Sequence, residues 1–262
     1  MHLTLFGEIQ LFLLIAATSA SFLYWINYKY KSLNRQIIRA IDIPVYLLNR
    51  QGFVVKLLAE KFKEEGYILV CPTRKEMDLS DPRSVEVYIA NHKDEYFDVI
   101  VNNAGVNEIN EITQIKDDEL TQMMQINLIS PIRLLRGFVG KMKEKRYGRI
   151  VNIGSIWATV SKGGRCVYSA TKNGVHGVTN TLAVELAPYN ILVNTVCPGF
   201  TLTELTYKNN TLEQIESINK DIPMGRMAEP REMAEVVYFL CSDKNTYLTG
   251  QKITIDGGYS EK

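Results

Sequence analysis

Residues 98–105 read DVIVNNAG, a short apolar run that ends in two asparagines, an alanine and a glycine. An uninterrupted apolar run of this length is typical of a strand that is covered on both faces of a parallel sheet. Ligands of such sheets bind beyond the carboxyl ends of the strands, which is where NNAG lies. Gly105 lets the backbone approach a ligand closely because it carries no side chain. The stretch therefore predicts an α/β sheet with a binding edge at residues 102–105.

Apolar runs and helical segments alternate in both directions from this strand. Further strands are predicted at residues 45–48, 68–71, 149–153, 191–196 and 252–255. Helices are predicted at residues 56–65, from 81–82 onward, at 117–145, and from 168 to about 187. The pattern predicts an α/β fold with a single doubly wound parallel sheet of the Rossmann type. The second crossover helix is shortened, because residues 77–79 (MDL) follow the second strand closely.

Composition favours an ordinary globular domain without a charged binding face. The chain has 262 residues, and 30 basic side chains offset 29 acidic ones to leave a net charge of +1. We therefore expect no nucleic-acid partner. The four cysteines and three histidines show no metal-ligand spacing, so no metal site is expected.

The first 43 residues differ from the rest of the chain. Residues 11–26 (LFLLIAATSASFLYWI) carry no charge, and the apolar segment extends back to residue 3 with few polar interruptions. Four basic residues follow it: Lys29, Lys31, Arg35 and Arg39. This pattern predicts an N-terminal apolar helix that anchors the chain in a membrane through residues 3–26, with a cytoplasmic domain behind it. The alternative interpretation is an additional buried or interfacial helix. We place the boundary between an extension, residues 1–43, and the Rossmann domain, residues 44–262.

Three polar side chains are candidates for chemistry. Tyr168 and Lys172 lie four residues apart in YSATK, so both lie on one face of the predicted helix. A nearby ammonium group favours the phenolate and lowers the pKa of tyrosine, which is otherwise about 10. Ser155 follows the strand at 149–153, where its hydroxyl can hold a substrate oxygen beside the tyrosine.

Asn127 is a fourth candidate. It lies inside the long predicted helix, in MMQINL, where a buried asparagine is unfavourable unless it has hydrogen-bond partners. The sequence therefore predicts a polar or water-mediated task for this side chain.

Together these segments resemble the short-chain dehydrogenase/reductase family over about three-quarters of the chain. The matching pieces are NNAG at 102–105, Asn127, Ser155, YSATK at 168–172, CPGF at 197–200 with Thr203, and TGQKITIDGG at 249–258.

The resemblance implies hydride transfer between a nicotinamide cofactor and a carbonyl/alcohol pair, and it assigns each matched residue a role. Tyr168 is the acid/base, Lys172 lowers its pKa and contacts the nicotinamide ribose, Ser155 orients the substrate, and Asn127 supports a proton relay. The implied cofactor contacts are Asn103, Ala104, Gly105, Pro198, Gly199, Thr201 and Thr203, with Asp78 and Leu79 on the adenine side.

The cofactor loop departs from the family pattern. The family carries a glycine-rich TGxxxGxG loop after the first strand, where helix N-terminal amides bind the pyrophosphate. The corresponding stretch here, residues 48–55, reads LNRQGFVV and retains only Gly52. Phe53 and Val55 stand where small residues are normal, and their side chains are expected to obstruct the phosphates. Two interpretations remain open: a replaced N-terminal coding sequence, or a membrane-anchored, non-catalytic member with impaired cofactor binding.

The end of the second strand favours NADP(H) over NAD(H). An acidic residue there binds the ribose hydroxyls of NAD, whereas this chain has Thr73, Arg74 and Lys75. Arg74 suits the 2′-phosphate of NADP, and a solvated basic turn is the alternative interpretation.

Resemblances within the family disagree on the substrate. Residues 222–243 look like 3-oxoacyl-carrier-protein reductases, whereas 155–172, with Arg165, are similar to reductases of surface-polysaccharide pathways. The polar lid at 205–221 favours a hydrophilic carbonyl or alcohol substrate. The family also implies a homo-oligomer, either a dimer or a tetramer.

Overall fold

The computed structural model describes residues 44–47, 53–203, 206–207 and 210–262. Six parallel strands form one sheet in the order β2-β1-β3-β4-β5-β6. The strands are β1 (Pro44–Leu47), β2 (Ile68–Val70), β3 (Val99–Asn102), β4 (Gly148–Ile153), β5 (Ile191–Pro198) and β6 (Lys252–Ile255). The order reverses between β1 and β3, and ligands of open α/β sheets bind at such a switch point.

Helices cover both faces of the sheet, as the sequence predicts for a doubly wound fold. They are α1 (Phe53–Glu64), α2 (Pro82–Asn91), α3 (Asp117–Met124), α4 (Ser130–Lys145), α5 (Cys166–Leu186), α6 (Leu212–Asp221) and α7 (Pro230–Cys241). Helices α2, α4 and α5 contribute to one apolar core around Phe138 and Ile150. Helices α1 and α7 contribute to a second core on the opposite face, around Phe62 and Val196.

The boundaries of most elements agree with the sequence to within a few residues. Helix α1 begins three residues before the predicted residue 56 because Phe53, Val54 and Val55 are helical. Residues 71–81 connect β2 directly to α2 without an intervening α-helix, which confirms the shortened crossover. Asp81 caps α2 by accepting a hydrogen bond from the Arg83 amide, and Pro82 occupies the first turn.

A continuous helical region runs from Asp117 to Lys145, as the sequence predicts. Between α3 and α4 it contains one π-helical turn, Gln125–Ile129, which includes Asn127. The sequence did not predict this change of helix type. The spacing of apolar residues does not reveal a π turn that is stabilised by hydrogen bonds to residues outside the helix.

Two sequence predictions lie outside the residues that the structure describes. They are the membrane anchor at residues 3–26, with the boundary at 43/44, and the cofactor loop at residues 48–52. Among the described residues, no helix is both long enough and apolar enough to cross a bilayer.

Candidate active site

Four polar segments meet beyond the carboxyl ends of β3, β4 and β5. Residues 103–105 follow β3, Ser155 follows β4, and Gly199 follows β5. Helix α5 supplies Tyr168 and Lys172 from its first two turns. The structure therefore gathers the predicted catalytic residues at the edge of the sheet that DVIVNNAG indicated.

Lys172 is held rigidly inside the site. Its side chain is buried, and Nζ donates a hydrogen bond of 2.7 Å to the carbonyl oxygen of Ile153, at the end of β4. The same Nζ lies 5.6 Å from the centroid of the Tyr168 ring. Burial lowers the pKa of Lys172 to about 8, because an ammonium group is poorly solvated there.

Opposing effects determine the pKa of the Tyr168 hydroxyl, and the sequence did not predict their net direction. Burial raises the pKa of its hydroxyl, while a hydrogen bond with Ser155 and the positive charge of Arg165 act in the opposite direction; the net shift is upward. The sequence argument assigned the lowering of this pKa to Lys172, but Ser155 and Arg165 are the groups that lower it here. Desolvation outweighs them because the hydroxyl lies in an enclosed environment.

Ser155 lies at the start of a short 3-10 turn, Ile156–Ala158, that leads away from β4. Its Oγ accepts a hydrogen bond of 3.3 Å from the Trp157 amide. Its side chain is buried, and its hydroxyl bonds to that of Tyr168. The two hydroxyls therefore face one point, where a substrate oxygen can receive a bond from each.

Asn127 satisfies its amide completely within the π turn. Its Oδ1 accepts from the Val106 amide at 2.8 Å, and its Nδ2 donates to the Val106 carbonyl at 2.9 Å and to Thr171 Oγ1 at 3.1 Å. A Cβ atom placed on Gly105 would lie 3.3 Å from Lys172 Nζ and 3.4 Å from Asn127 Oδ1. Glycine at 105 thus leaves room for these two buried polar groups, which a side chain at this position would crowd.

A buried hydrogen-bond chain joins the strands beneath the site. Asn102 Nδ2 donates to Asn152 Oδ1, Asn152 Nδ2 donates to Thr179 Oγ1, and Thr195 Oγ1 donates to the same Thr179 hydroxyl. Within the described part of the chain, Asn102 Oδ1 has no hydrogen-bond partner although it is buried. The first asparagine of NNAG therefore ties β3 to β4, while the following residues face the site edge.

The segment after β5 turns back over the sheet. The Gly199 amide bonds to the Ile255 carbonyl, and a Cβ atom on Gly199 would lie 2.6 Å from Asp256 Cα. Thr201 Oγ1 donates to the Gly199 carbonyl at 3.3 Å, and the hydroxyl of Thr203 lies 3.0 Å from that of Thr206. Pro198 ends β5 beside this turn. These residues lie where contact with the carboxamide group of the nicotinamide is expected. That role stays a prediction.

The candidate for the 2′-phosphate, Arg74, forms an ion pair with the adenine-side candidate Asp78. Arg74 Nε donates to Asp78 Oδ2 at 2.9 Å, and Asp78 also accepts from the amide and hydroxyl of Ser80. Burial acts to raise the pKa of Asp78, but these hydrogen bonds outweigh it and hold the pKa below its usual value. The Leu79 carbonyl accepts a bond from Ser130 Oγ. Separate tasks were predicted for Arg74 and Asp78, and their pairing was not predicted.

Sequence reasoning assigned no task to Arg165, which the structure places at the site. Its guanidinium carbon lies 5.3 Å from the centroid of the Trp157 ring. Trp157 in turn packs edge-on against Phe200 and Tyr259. The available signal was its position three residues before Tyr168, because that spacing brings side chains together on a helix.

Comparisons with known proteins identify the family of the chain. A family model described as Enoyl-(Acyl carrier protein) reductase matches residues 45–260. The 3-oxoacyl-(acyl-carrier-protein) reductase FabG of Vibrio cholerae is 38% identical over 184 residues, which cover 70% of this chain and 75% of that protein. FabG of Buchnera aphidicola is 35% identical over 206 residues, covering 78% and 82%.

Solved structures share the fold. ElxO with NADP bound has a TM-score of 0.77 at 26% identity and covers 84% of this chain and 99% of its own. A gluconate 5-dehydrogenase from Burkholderia cenocepacia, solved with NADP and tartrate, has a TM-score of 0.79 at 22% identity and covers 86% and 98%. Fold and comparisons together define a Rossmann-fold oxidoreductase. The chain belongs to the short-chain dehydrogenase/reductase family.

Proposed function

We propose that this chain transfers a hydride between NADP(H) and a carbonyl/alcohol substrate, with Tyr168 as the acid/base. The observation that carries the proposal is the convergence of Ser155, Tyr168 and Lys172 at the carboxyl edge of the sheet. Ser155 bonds to the tyrosine hydroxyl, and Lys172 is anchored to the end of β4 beside the tyrosine ring.

Each side chain has a defined part in carbonyl reduction. The cofactor, when bound, supplies the hydride that reaches the carbonyl carbon. The Tyr168 hydroxyl gives its proton to the carbonyl oxygen, which becomes the alcohol. The Ser155 hydroxyl hydrogen-bonds the same oxygen and stabilises its developing negative charge. The Lys172 ammonium stabilises the resulting phenolate until solvent returns the proton, and in alcohol oxidation the proton moves the other way.

The residues present fit a nicotinamide cofactor at two places. Gly105 has no side chain, so the backbone next to Lys172 and Asn127 can approach a ligand closely near the switch point of the sheet. Arg74 is 75% exposed and uses Nε for Asp78, so its terminal nitrogens can bind the 2′-phosphate of NADP, with Lys75 beside it. ElxO and the Burkholderia dehydrogenase, which share the fold, were solved with NADP. Residues 48–52 are the segment on which pyrophosphate binding depends.

The substrate class stays open between two types of carbonyl compound. The curated relatives are 3-oxoacyl-(acyl-carrier-protein) reductases, which favours a 3-oxoacyl thioester. The polar lid sequence favours a hydrophilic, sugar-like compound.

The experiment combines binding with turnover. Full-length protein is titrated with NADPH and NADH, then assayed with acetoacetyl thioesters and polyhydroxylated ketones. We expect tighter binding of NADPH, and a loss of about 10²–10⁴-fold in kcat for Tyr168→Phe, because the proton donor is removed. NADPH affinity should be unchanged in this variant. Tyr247→Phe, at a 94% exposed tyrosine, is the matched control.

Two results would contradict the proposal. Wild-type turnover in Tyr168→Phe would mean that another group donates the proton. A folded protein that binds neither nucleotide would favour the alternative interpretation, a membrane-anchored member with a non-catalytic role. The anchor at residues 3–26 and the cytoplasmic position of the domain stay predictions.

A further inference from the structure

Arg165 occupies a position from which it can reach the substrate but not an acidic residue of the described chain. It is the N-cap residue of α5, three residues before Tyr168, and its guanidinium lies over the Trp157 ring. Its charge acts on the Tyr168 hydroxyl, which places it near the reacting atoms. The residue is half-buried, so its charge is partly shielded from solvent.

No described residue neutralises this charge. The ion pairs found among residues 53–203 and 210–262 do not include Arg165. Its Nε is buried and has no hydrogen-bond partner there. Buried donors are nearly always paired, so a donor left open beside a catalytic hydroxyl indicates a partner that arrives with the ligand.

Neighbouring cations are already engaged. Lys172 Nζ donates to the Ile153 carbonyl, and Lys252 Nζ donates to the Ala158 carbonyl at 3.3 Å. Among the described residues around Tyr168, the Arg165 guanidinium is therefore the cation that has no hydrogen-bond or ion-pair partner. A single positive charge matches a monocarboxylate, whereas a phosphate group with two negative charges is better matched by two free cations.

We propose that Arg165 is a specificity residue that binds a carboxylate group of the substrate, so that the enzyme prefers oxo and hydroxy acids over neutral ketones and alcohols. The guanidinium lies over the Trp157 ring, with its carbon 5.3 Å from the ring centroid, and this contact favours one position for it before the ligand binds. Two parallel N–H···O bonds to the carboxylate then position the reacting carbonyl next to Ser155 and Tyr168. This inference rests on the proposed oxidoreductase function.

The test measures binding and needs no turnover. Calorimetry with NADP-saturated full-length protein in the Tyr168→Phe background compares two matched pairs: D-gluconate with D-glucitol, and 3-hydroxybutanoate with 1,3-butanediol. Within each pair only a carboxylate and a hydroxymethyl group differ. We expect the carboxylate of at least one pair to bind about 10–100-fold more tightly than its alcohol, as for a charge-assisted hydrogen-bond pair.

Variants separate the specific role from general charge effects. Arg165→Gln should reduce the affinity for the carboxylate to that for the alcohol, and Arg165→Lys should restore part of the preference. Lys162→Gln, which removes an exposed positive charge three residues earlier, should change neither affinity. Equal binding within both pairs, or an unchanged preference in Arg165→Gln, would overturn the proposal. Preferential binding of D-glucitol 6-phosphate would also overturn it, because a phosphate would then be the ligand.

Failure of the proposed oxidoreductase function can be distinguished from failure of the Arg165 proposal. If Tyr168 were not the acid/base, wild type and Tyr168→Phe would turn over equally, while the Arg165-dependent preference would still be measurable by calorimetry.

Discussion

Burial governs the charge state of Lys172. Its pKa is lowered to about 8 inside the protein, whereas an unfolded lysine titrates near 10.5. Below pH 8, Lys172 is protonated in both the folded and the unfolded protein. Burial of its ammonium group therefore destabilises the folded protein throughout this range. Between pH 8 and 10.5 the folded protein loses the proton first, so the unfavourable contribution decreases as pH rises.

Because the unfavourable contribution of Lys172 decreases as pH rises, the difference in stability between wild type and Lys172→Met should depend on pH. The variant should gain stability relative to wild type at pH 7, by at most about 3 kcal/mol, and the gain should disappear towards pH 10.5. Urea unfolding at pH 7, 8, 9 and 10 measures it. Lys162→Met, at an exposed lysine, should show no such trend. A difference that is constant over this range would mean that the Lys172 pKa is not lowered.

Among the elements, the π turn determines where Asn127 points. Gln125 Nε2 donates to Ser130 Oγ across the turn, and Ser130 Oγ donates to the Leu79 carbonyl. Asn127 joins the turn to the loop after β3 through two bonds with Val106. The turn therefore connects the loop after β3 with α5, which carries the catalytic tyrosine and lysine.

Replacing Asn127 should remove the hydrogen bonds that link the π turn to the loop after β3 and to α5. Asn127→Ala removes three hydrogen bonds and leaves Val106 and Thr171 with lost partners, so we expect a loss of about 2–3 kcal/mol in the free energy of unfolding. Asn173→Ala, at an exposed asparagine on α5 with one backbone bond, should change stability by less than about 0.5 kcal/mol. Chemical denaturation compares them. Equal losses in the two variants would exclude a linking role for Asn127.

For the whole molecule, α4 and α5 present a groove of about 710 Å³. Gly140 and Gly177 line it, and a Cβ atom on either would meet nothing within 4 Å. Glycine inside a helix is destabilising, and no residue that the structure describes packs against these two positions, which leaves room for close approach by another subunit. Ile132 in the same groove is 42% exposed. If the chain forms the homo-oligomer that the family resemblance implies, we predict that this face carries the contact.

Gly177→Arg should dissociate that contact, because a long charged side chain fills the groove. Analytical ultracentrifugation should show a smaller species than in wild type. Val87→Arg, at a 59% exposed position on α2, places the same side chain on another helix and should leave the assembly unchanged. A wild-type monomer, or an unaltered oligomer in Gly177→Arg, would refute the assignment.

The sequence alone determined the order of elements, the sheet type and the edge that carries the site. These properties follow from local signals: apolar runs such as 99–101, the Asp81-Pro82 helix start, and the i,i+4 spacing of Tyr168 and Lys172. They are predictable because neighbours along the chain produce them.

Tertiary structure decided the rest. The π turn, the Arg74–Asp78 pair, and the influence of Arg165 and Ser155 on Tyr168 depend on which side chains meet in space. The pKa of Lys172 depends on how deeply the fold buries it, and a spacing of four residues contains no information about burial. Desolvation and long-range hydrogen bonds arise only when the sheet and helices are packed, so the chemistry of this site was settled by the assembled fold.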